Sequence, residues 1–203
     1  MLKLEVMVMK IKQQKLIKIF LNEQFSKEKS NQLFEKQEKN LNELIINTKN
    51  KTQNQMKTLT QTILPRIALY KTLVSENLAE EEVYSYMKEY MLDKIAYKKH
   101  ASTKKMELVP GFYKIYSSIF LSIMKKTDLQ ESKQSHGKDY FDITITKCLW
   151  HTACLENGCA NLCKLFCDVD DVTYGNLKKI GFTRTKTLGY GGDCCDFHFY
   201  RKK

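Results

Sequence analysis

A chain of 203 residues, 42% apolar and 11% aromatic, has material for one sizeable core with an appendage, or for two small ones. Its apolar runs fall short of the about 18 residues a membrane-spanning helix needs. The formal charge of +11 is spread as single lysines along the chain, and Arg66, Arg184 and Arg201 are its only arginines, which argues against a nucleic-acid partner read through bidentate arginine contacts.

The N-terminal MLKLEVMVMKIKQQK does not read as a signal peptide, because Glu5 interrupts a short apolar run and no small-residue cleavage site follows. The expected location is the cytoplasm, where seven cysteines stay as thiols rather than forming a disulfide framework. Residues 1–64 are predicted to be helical. Leu16, Ile19 and Phe20 share one face, Leu41, Leu44 and Ile45 another, and Met56, Leu59 and Ile63 a third. These stripes suit core packing or a homo-oligomer formed through the N-terminal helices; an amphipathic arm and a partly disordered leader are the other readings of so polar a stretch. Residues 1–60 are assigned as a helical extension and 61–203 as the main domain.

Pro65 marks a helix boundary. Asn77 is the expected N-cap of the next helix, with Glu80, Glu81 and Glu82 opposing its macrodipole and Val83, Tyr86, Met87, Tyr90 and Met91 facing inward. The basic run at 98–105 reads as a loop with His100 solvated. Pro110-Gly111 opens the clearest amphipathic helix, with Phe112, Ile115, Tyr116, Ile119, Phe120 and Ile123 on one face. Residues 128–138, with His136, read as a loop. Phe141, Ile143 and Ile145 then alternate with Asp142, Thr144 and Thr146, a strand with one core face and one row of short polar groups that faces solvent or lines a cleft.

Residues 157–166 and 170–179 read as two short helices, the second capped by Asp168, Asp170 or Asp171. The segment FTRTKTL after Gly181 and the segment CCDFHFY both alternate, and the turn Tyr190-Gly191-Gly192-Asp193 joins them as a hairpin. The fold class is therefore α+β: N-terminal helices covering a small twisted antiparallel sheet formed mainly by the C-terminal third.

Chemistry concentrates beyond Tyr140. Cys148, Cys154, Cys159, Cys163 and Cys167 are spaced by six, five, four and four, without the repeated close pair of a structural zinc site. Cys159, Cys163 and Cys167 can share a helix face, so two thiolates on one metal stay a minor reading beside plain burial. Two thiols stand out. Cys167 precedes Asp168, Asp170 and Asp171 at what reads as a helix mouth, where the helix would lower its pKa and the carboxylates would raise it. Cys195 adjoins Asp196, with His198 nearby, but strand alternation puts Cys195 and His198 on opposite faces. His151 is a second candidate base, or a half-exposed loop histidine. Arg184, a lone arginine among threonines, calls for a carboxylate partner, either Asp142 or a ligand.

The segments LPRIALYKTLV, PGFYKIY, YFDITITKCLW, LFCDVDD and TRTKTLGYGGDCCDF together resemble the L-2-amino-thiazoline-4-carboxylic acid hydrolase family over roughly residues 60–203. The most specific parts are Cys-x-x-Asp at Cys167–Asp170, Arg-Thr-x-Thr at Arg184–Thr187 and Gly-Gly-x-x-Cys-Asp-Phe at Gly191–Phe197. The resemblance implies hydrolytic opening of a 2-amino-thiazoline ring to a carbamoyl-cysteine, on the way to cysteine, without cofactor or metal. The closing hairpin is also similar to vinyl-reductase-like ligand-binding domains, so a non-catalytic small-molecule-binding domain is the alternative.

Such a reaction needs a cation for the substrate carboxylate, an acid for a departing nitrogen, and a nucleophile. Arg184 suits the first role. Asp170 or Asp196 suits the second, if burial raises its pKa. Water, or the thiolate of Cys167 or Cys195, suits the third. Thr144, Thr185 and Thr187 are expected to orient the ligand through their hydroxyls.

Overall fold

The computed structural model describes residues 11–203, so the helix expected over residues 1–10 lies outside the described residues. The chain divides at Tyr90/Met91 into two compact units.

The first unit is helical: α1 (Lys12–Gln24), α2 (Lys27–Asn47), α3 (Gln53–Thr58), a π-helical turn (Leu59–Ile63), α4 (Leu64–Val74) and α5 (Glu80–Lys88). Its core is built from Ile17, Phe20, Leu21, Leu33, Leu41, Ile63, Ile67 and Leu73. The stripe expected on α1 is rotated by one position: Ile17 and Leu21 are buried with Phe20, and Ile19 is exposed. Ser26 caps α2, and Thr52 with Gln55 forms a capping box on α3. Pro65 produces a change of helix type rather than a break. Its ring and missing N–H disfavour a regular α-turn before it, and the wider turn, closed from Leu64 N–H to Leu59 O, accommodates both. Asn77 is not an N-cap. It adopts φ of 56° after α4, and Ala79 occupies the cap position of α5. Several buried polar side chains find partners among side chains and backbone: Gln14 and Gln37 exchange hydrogen bonds at 2.7 and 3.0 Å, Gln37 also donates to Pro65 O at 3.1 Å, and Thr72 donates to Ala68 O at 2.8 Å. Burial lowers the pKa of Arg66.

Helix α5 runs on into a π-helical stretch (Glu89–Ala96), within which the division falls. The second unit holds α6 (Tyr97–Met106), α7 (Phe112–Lys126), β1 (Gln130–His136), β2 (Tyr140–Cys148), α8 (Leu149–Glu156), α9 (Ala160–Tyr174), β3 (Ile180–Thr183), a 3-10 turn (Leu188–Tyr190) and β4 (Cys195–Arg201). Three expectations are corrected here. The basic run is helix α6, and His100 contacts Thr173 O at 3.2 Å instead of being fully solvated. The polar stretch before β2 contains the edge strand β1. The two short helices expected over 157–166 and 170–179 are one unbroken α9, preceded by α8 where no helix was expected, so Asp168, Asp170 and Asp171 lie in the last turns of a helix, not at its start.

The sheet is antiparallel throughout, in the order β1-β2-β4-β3. Phe141, Ile143 and Ile145 sit opposite Phe199, Phe197 and Cys195, and together make one apolar face. Phe120 of α7 packs on that face, 5.9 Å from Phe141 and 5.3 Å from Phe199 between ring centroids, and Tyr174 of α9 meets Phe199 at 5.2 Å. Helix α7 turns Phe112, Tyr116, Phe120 and Met124 inward, whereas Ile115, Ile119 and Ile123 are 48%, 55% and 57% exposed, so only half of the expected stripe is packed. The other sheet face carries Asp142, Thr144, Asp196 and His198.

Candidate active site

Helix α9 supplies the first wall. Cys163, Cys167, Asp170 and Asp171 recur at intervals of three and four and therefore share one side of it. The connection from β3 to β4 supplies the second wall, and Asp196 shapes it. Its carboxylate accepts the backbone N–H groups of Thr185 at 2.9 Å and Lys186 at 2.8 Å, together with the Thr185 hydroxyl. These bonds pull the chain out of the sheet after Thr183, which is why the expected strand through Leu188 stops early. The 3-10 turn follows, with Thr187 Oγ1 accepting from Tyr190 N–H at 3.3 Å and Gly191 closing it at φ of 82°. Leu188 N–H points at Cys195 Sγ, 3.3 Å away. Gly189 rests on α9 so closely that a Cβ there would stand 2.7 Å from Cys167 Sγ. Only glycine permits that approach.

Cys167 Sγ consequently sits among donors: the thiols of Cys163 and Cys195, the Thr187 hydroxyl and the Gly189 N–H. The two thiol hydrogen bonds do most to hold its pKa well below that of an ordinary thiol, against the opposing effect of burial. Its neighbours move the other way. Donation to Cys167, then burial, pushes Cys195 up. Cys163 accepts from Cys154, which lowers it, but donation to Cys167 and burial outweigh that and raise it. Cys148, further along the cluster, is pushed up to about 11 by burial. The low pKa of Cys167 does not come from a helix N-terminus, since the residue lies inside α9. Among the described residues no group of three or more His, Cys, Asp and Glu is arranged to hold a metal ion.

Asp170, three residues along α9, keeps a little accessible surface, but its carboxyl is withdrawn from water. Burial raises its pKa to about 7, with Lys99 and Arg184 opposing and Cys167 and Asp171 reinforcing the shift. The hydrogen-bonded hydroxyls of Tyr116 and Tyr174 lie in the same electrostatic neighbourhood, and burial raises Tyr116 to about 12.

Arg184 is 9% exposed and has carboxylate partners of its own. It pairs with Asp171, stands 3.8 Å from Asp168, and donates from Nη1 to Cys167 O at 3.1 Å. Asp142, the protein partner considered for it, is held instead by His198 at 2.6 Å and by Ser135 at 2.9 Å. Tyr190 closes the edge by donating its hydroxyl to Asp168 at 2.9 Å.

Cys167, Cys195, Asp170, Thr187 and Arg184 are thus gathered around α9 and the 3-10 turn. Asp196 and Thr144, paired in register, lie on the opposite sheet face from Cys195, and Thr185 is bound to Asp196. Burial works against the Asp196 carboxylate, but its hydrogen bonds from Thr185 and Lys186 keep its pKa below the usual value, which suits a structural pin and not a proton donor. His151 falls on α8 and His198 on the Asp142 pair. From sequence Cys163 reads as a neighbour of Cys167 on one helix face, Tyr116 as part of an apolar stripe and Tyr190 as a turn residue, none of them as site residues, and Tyr174 is missed altogether. Among the described residues two cavities lie elsewhere. One, of about 1010 Å³, is lined by Tyr113, Lys114, Lys138, Tyr140, Lys179 and Arg201 among others; the other, of about 210 Å³, is wholly apolar and lies along Ile115, Ile119 and Ile123. Neither is lined by Cys167 or Arg184.

Comparison with known families matches residues 53–199 to the model described as L-2-amino-thiazoline-4-carboxylic acid hydrolase. No curated protein matches the chain.

Proposed function

From the premise that the chain belongs to the L-2-amino-thiazoline-4-carboxylic acid hydrolase family, we propose that it hydrolyses a small 2-amino-thiazoline carboxylate to a carbamoyl-cysteine, with Cys167 as nucleophile and Asp170 as proton donor. The observation that carries this reading is a thiol held low by four donors, three residues from a carboxyl whose pKa is raised to about 7. C2 of the protonated ring is electrophilic. Attack by Cys167 forms an Sγ–C2 bond, and the ring C–N bond breaks as Asp170 protonates the departing nitrogen. The Asp170 carboxylate then takes a proton from water, whose oxygen bonds to C2. Collapse to the carbamoyl carbonyl passes the remaining water proton to the released amine and returns the electron pair to Sγ, so the net change is the addition of one water. This chemistry asks for no metal or cofactor. Thr187 and the Gly189 N–H steady the resting thiolate.

The start of the family match at residue 53 supports reading the preceding residues as an extension, as assigned for 1–60. Seven free thiols support a cytoplasmic setting, and among the described residues no helix is long and apolar enough to cross a membrane.

A second reading, a binding domain without turnover, draws support from the pairing of Arg184 with Asp171, which leaves the substrate carboxylate without its expected cation. One incubation separates the two. The reduced chain, mixed with 2-amino-thiazoline-4-carboxylate, should abolish the ring's ultraviolet absorbance and yield a product one water heavier. Binding with unchanged substrate favours the second reading, and neither binding nor turnover overturns both.

A further inference from the structure

The proposed hydrolysis uses one thiol, yet Cys167 stands in a line of them. Along the helical side Cys154 shares electrostatic influence with Cys163 and Cys163 with Cys167, and Cys195 does so with Cys167 from β4. The turn brings the two sulfurs to one place: Leu188 N–H lies 3.3 Å from Cys195 Sγ, and the adjacent Gly189 is pressed against Cys167 Sγ. Cys167 retains some exposure, while Cys195 is 6% exposed. Cys167 is therefore the more accessible residue of the two, and Cys195 the buried one.

We propose that Cys167 is a reversible oxidation site for hydroperoxides, resolved by Cys195 to a Cys167–Cys195 disulfide. In the first step the Cys167 thiolate attacks the terminal peroxide oxygen. The O–O bond breaks, sulfur is oxidised to the sulfenate, and the peroxide leaves as an alcohol or as water once protonated. In the second step Cys195 attacks the Cys167 sulfenic acid sulfur and passes its thiol proton to the departing oxygen, so that the S–S bond forms as the S–O bond breaks and water leaves. A dithiol returns both sulfurs to thiols and is itself oxidised to a disulfide.

Cys195 is the resolving thiol in preference to Cys163 for a geometric reason. Cys163 and Cys167 are four residues apart on one helix, so their Cβ atoms point in parallel, and a bond between them would distort α9. Cys195 lies on β4, in the apolar sheet face against which Tyr174 of α9 packs. Disulfide formation does not depend on the hydrolase reading. The accompanying loss of hydrolysis does, because the same sulfur would be withdrawn.

The test is peptide mapping of the full reduced chain after hydrogen peroxide, without reductant. The expected product is a cross-link between the peptides bearing Cys167 and Cys195, two hydrogens lighter than their sum and split by dithiothreitol. Fragmentation, and retention of the cross-link in Cys194→Ser, distinguish Cys195 from its neighbour. In Cys195→Ser the sulfenic acid at Cys167 should instead accumulate and be trapped by dimedone. A cross-link to Cys163 or Cys194, over-oxidation of Cys167 without a cross-link, or no reaction at Cys167 would overturn the proposal. Mapping the unsubstituted chain requires no variant to fold. If the cross-link forms in a chain that never hydrolyses the thiazoline, the oxidation site stands and the hydrolase reading fails.

Discussion

The helical unit and the sheet-bearing unit bury polar groups of different kinds. In the first, Gln14, Gln37, Asn40 and Thr72 meet as neutral amides and hydroxyls, donor to acceptor. In the second, Cys163, Cys167, Cys195 and Asp170 are ionisable, and their shared environment drives some protons on and others off. Neutral pairs fix which helix faces which, at no cost in charge. Displaced ionisations hold free energy available to chemistry. Arg66 strains the division, as a buried charge in the helical unit whose pKa is lowered by desolvation.

The sharpest way to break the comparison is Cys167→Ala. Thiazoline hydrolysis should fall by about 10³-fold or more, while the melting curve followed by circular dichroism barely moves. An active variant would remove the thiol from the chemistry. Leu41→Ala does the reverse. Deleting a fully buried side chain of α2 should cost about 2–5 kcal/mol in denaturant titration, with kcat/KM unchanged in the folded fraction.

Asp170→Asn tests the ionisable side through pH. The folded carboxyl, at about 7, keeps its proton where an ordinary carboxylate, at 3.8, has lost it. Between those values the folded state binds more protons than the unfolded one, so stability falls as pH rises and levels off above about 7. The variant should lack that decline and gain on the parent, progressively, up to neutrality. The same ionisation sets the rate: parent hydrolysis should fall as pH rises past about 7 and Asp170 ceases to donate, and the variant should lose this limb. The smallest effect belongs to the neutral pair. Gln37→Leu leaves Gln14 without its amide partner and should cost about 1–3 kcal/mol, with the difference from the parent independent of pH.

What could be read without coordinates follows the same physics. Strands β2 and β4 were legible because one face of each is apolar, Phe141-Ile143-Ile145 against Cys195-Phe197-Phe199. Strand β1 was not, since QESKQSH has no apolar residue to mark its period, only pairing with β2. The aspartates of α9 imitated caps, but tertiary partners hold them inside the helix: Arg184 on Asp171 and Tyr190 on Asp168. Arg184 and Cys167 were identifiable as unusual from their neighbours. Their actual partners were not, because Asp171, Cys195 and Gly189 reach them through a turn whose shape depends on Asp196 gripping Thr185 and Lys186.

The order β1-β2-β4-β3 places the last strand in sequence at an inner position of the sheet. During synthesis β1 and β2 can pair as soon as they emerge, but β3 has no neighbour until Cys195–Arg201 inserts beside it. Threading that late strand between two others is a long-range closure, the slow kind of step in a folding reaction. It also delivers Cys195. A nascent chain therefore carries Cys167 without its cross-strand sulfur until the final insertion, and maturation of the thiol's acidity should lag behind the appearance of helix.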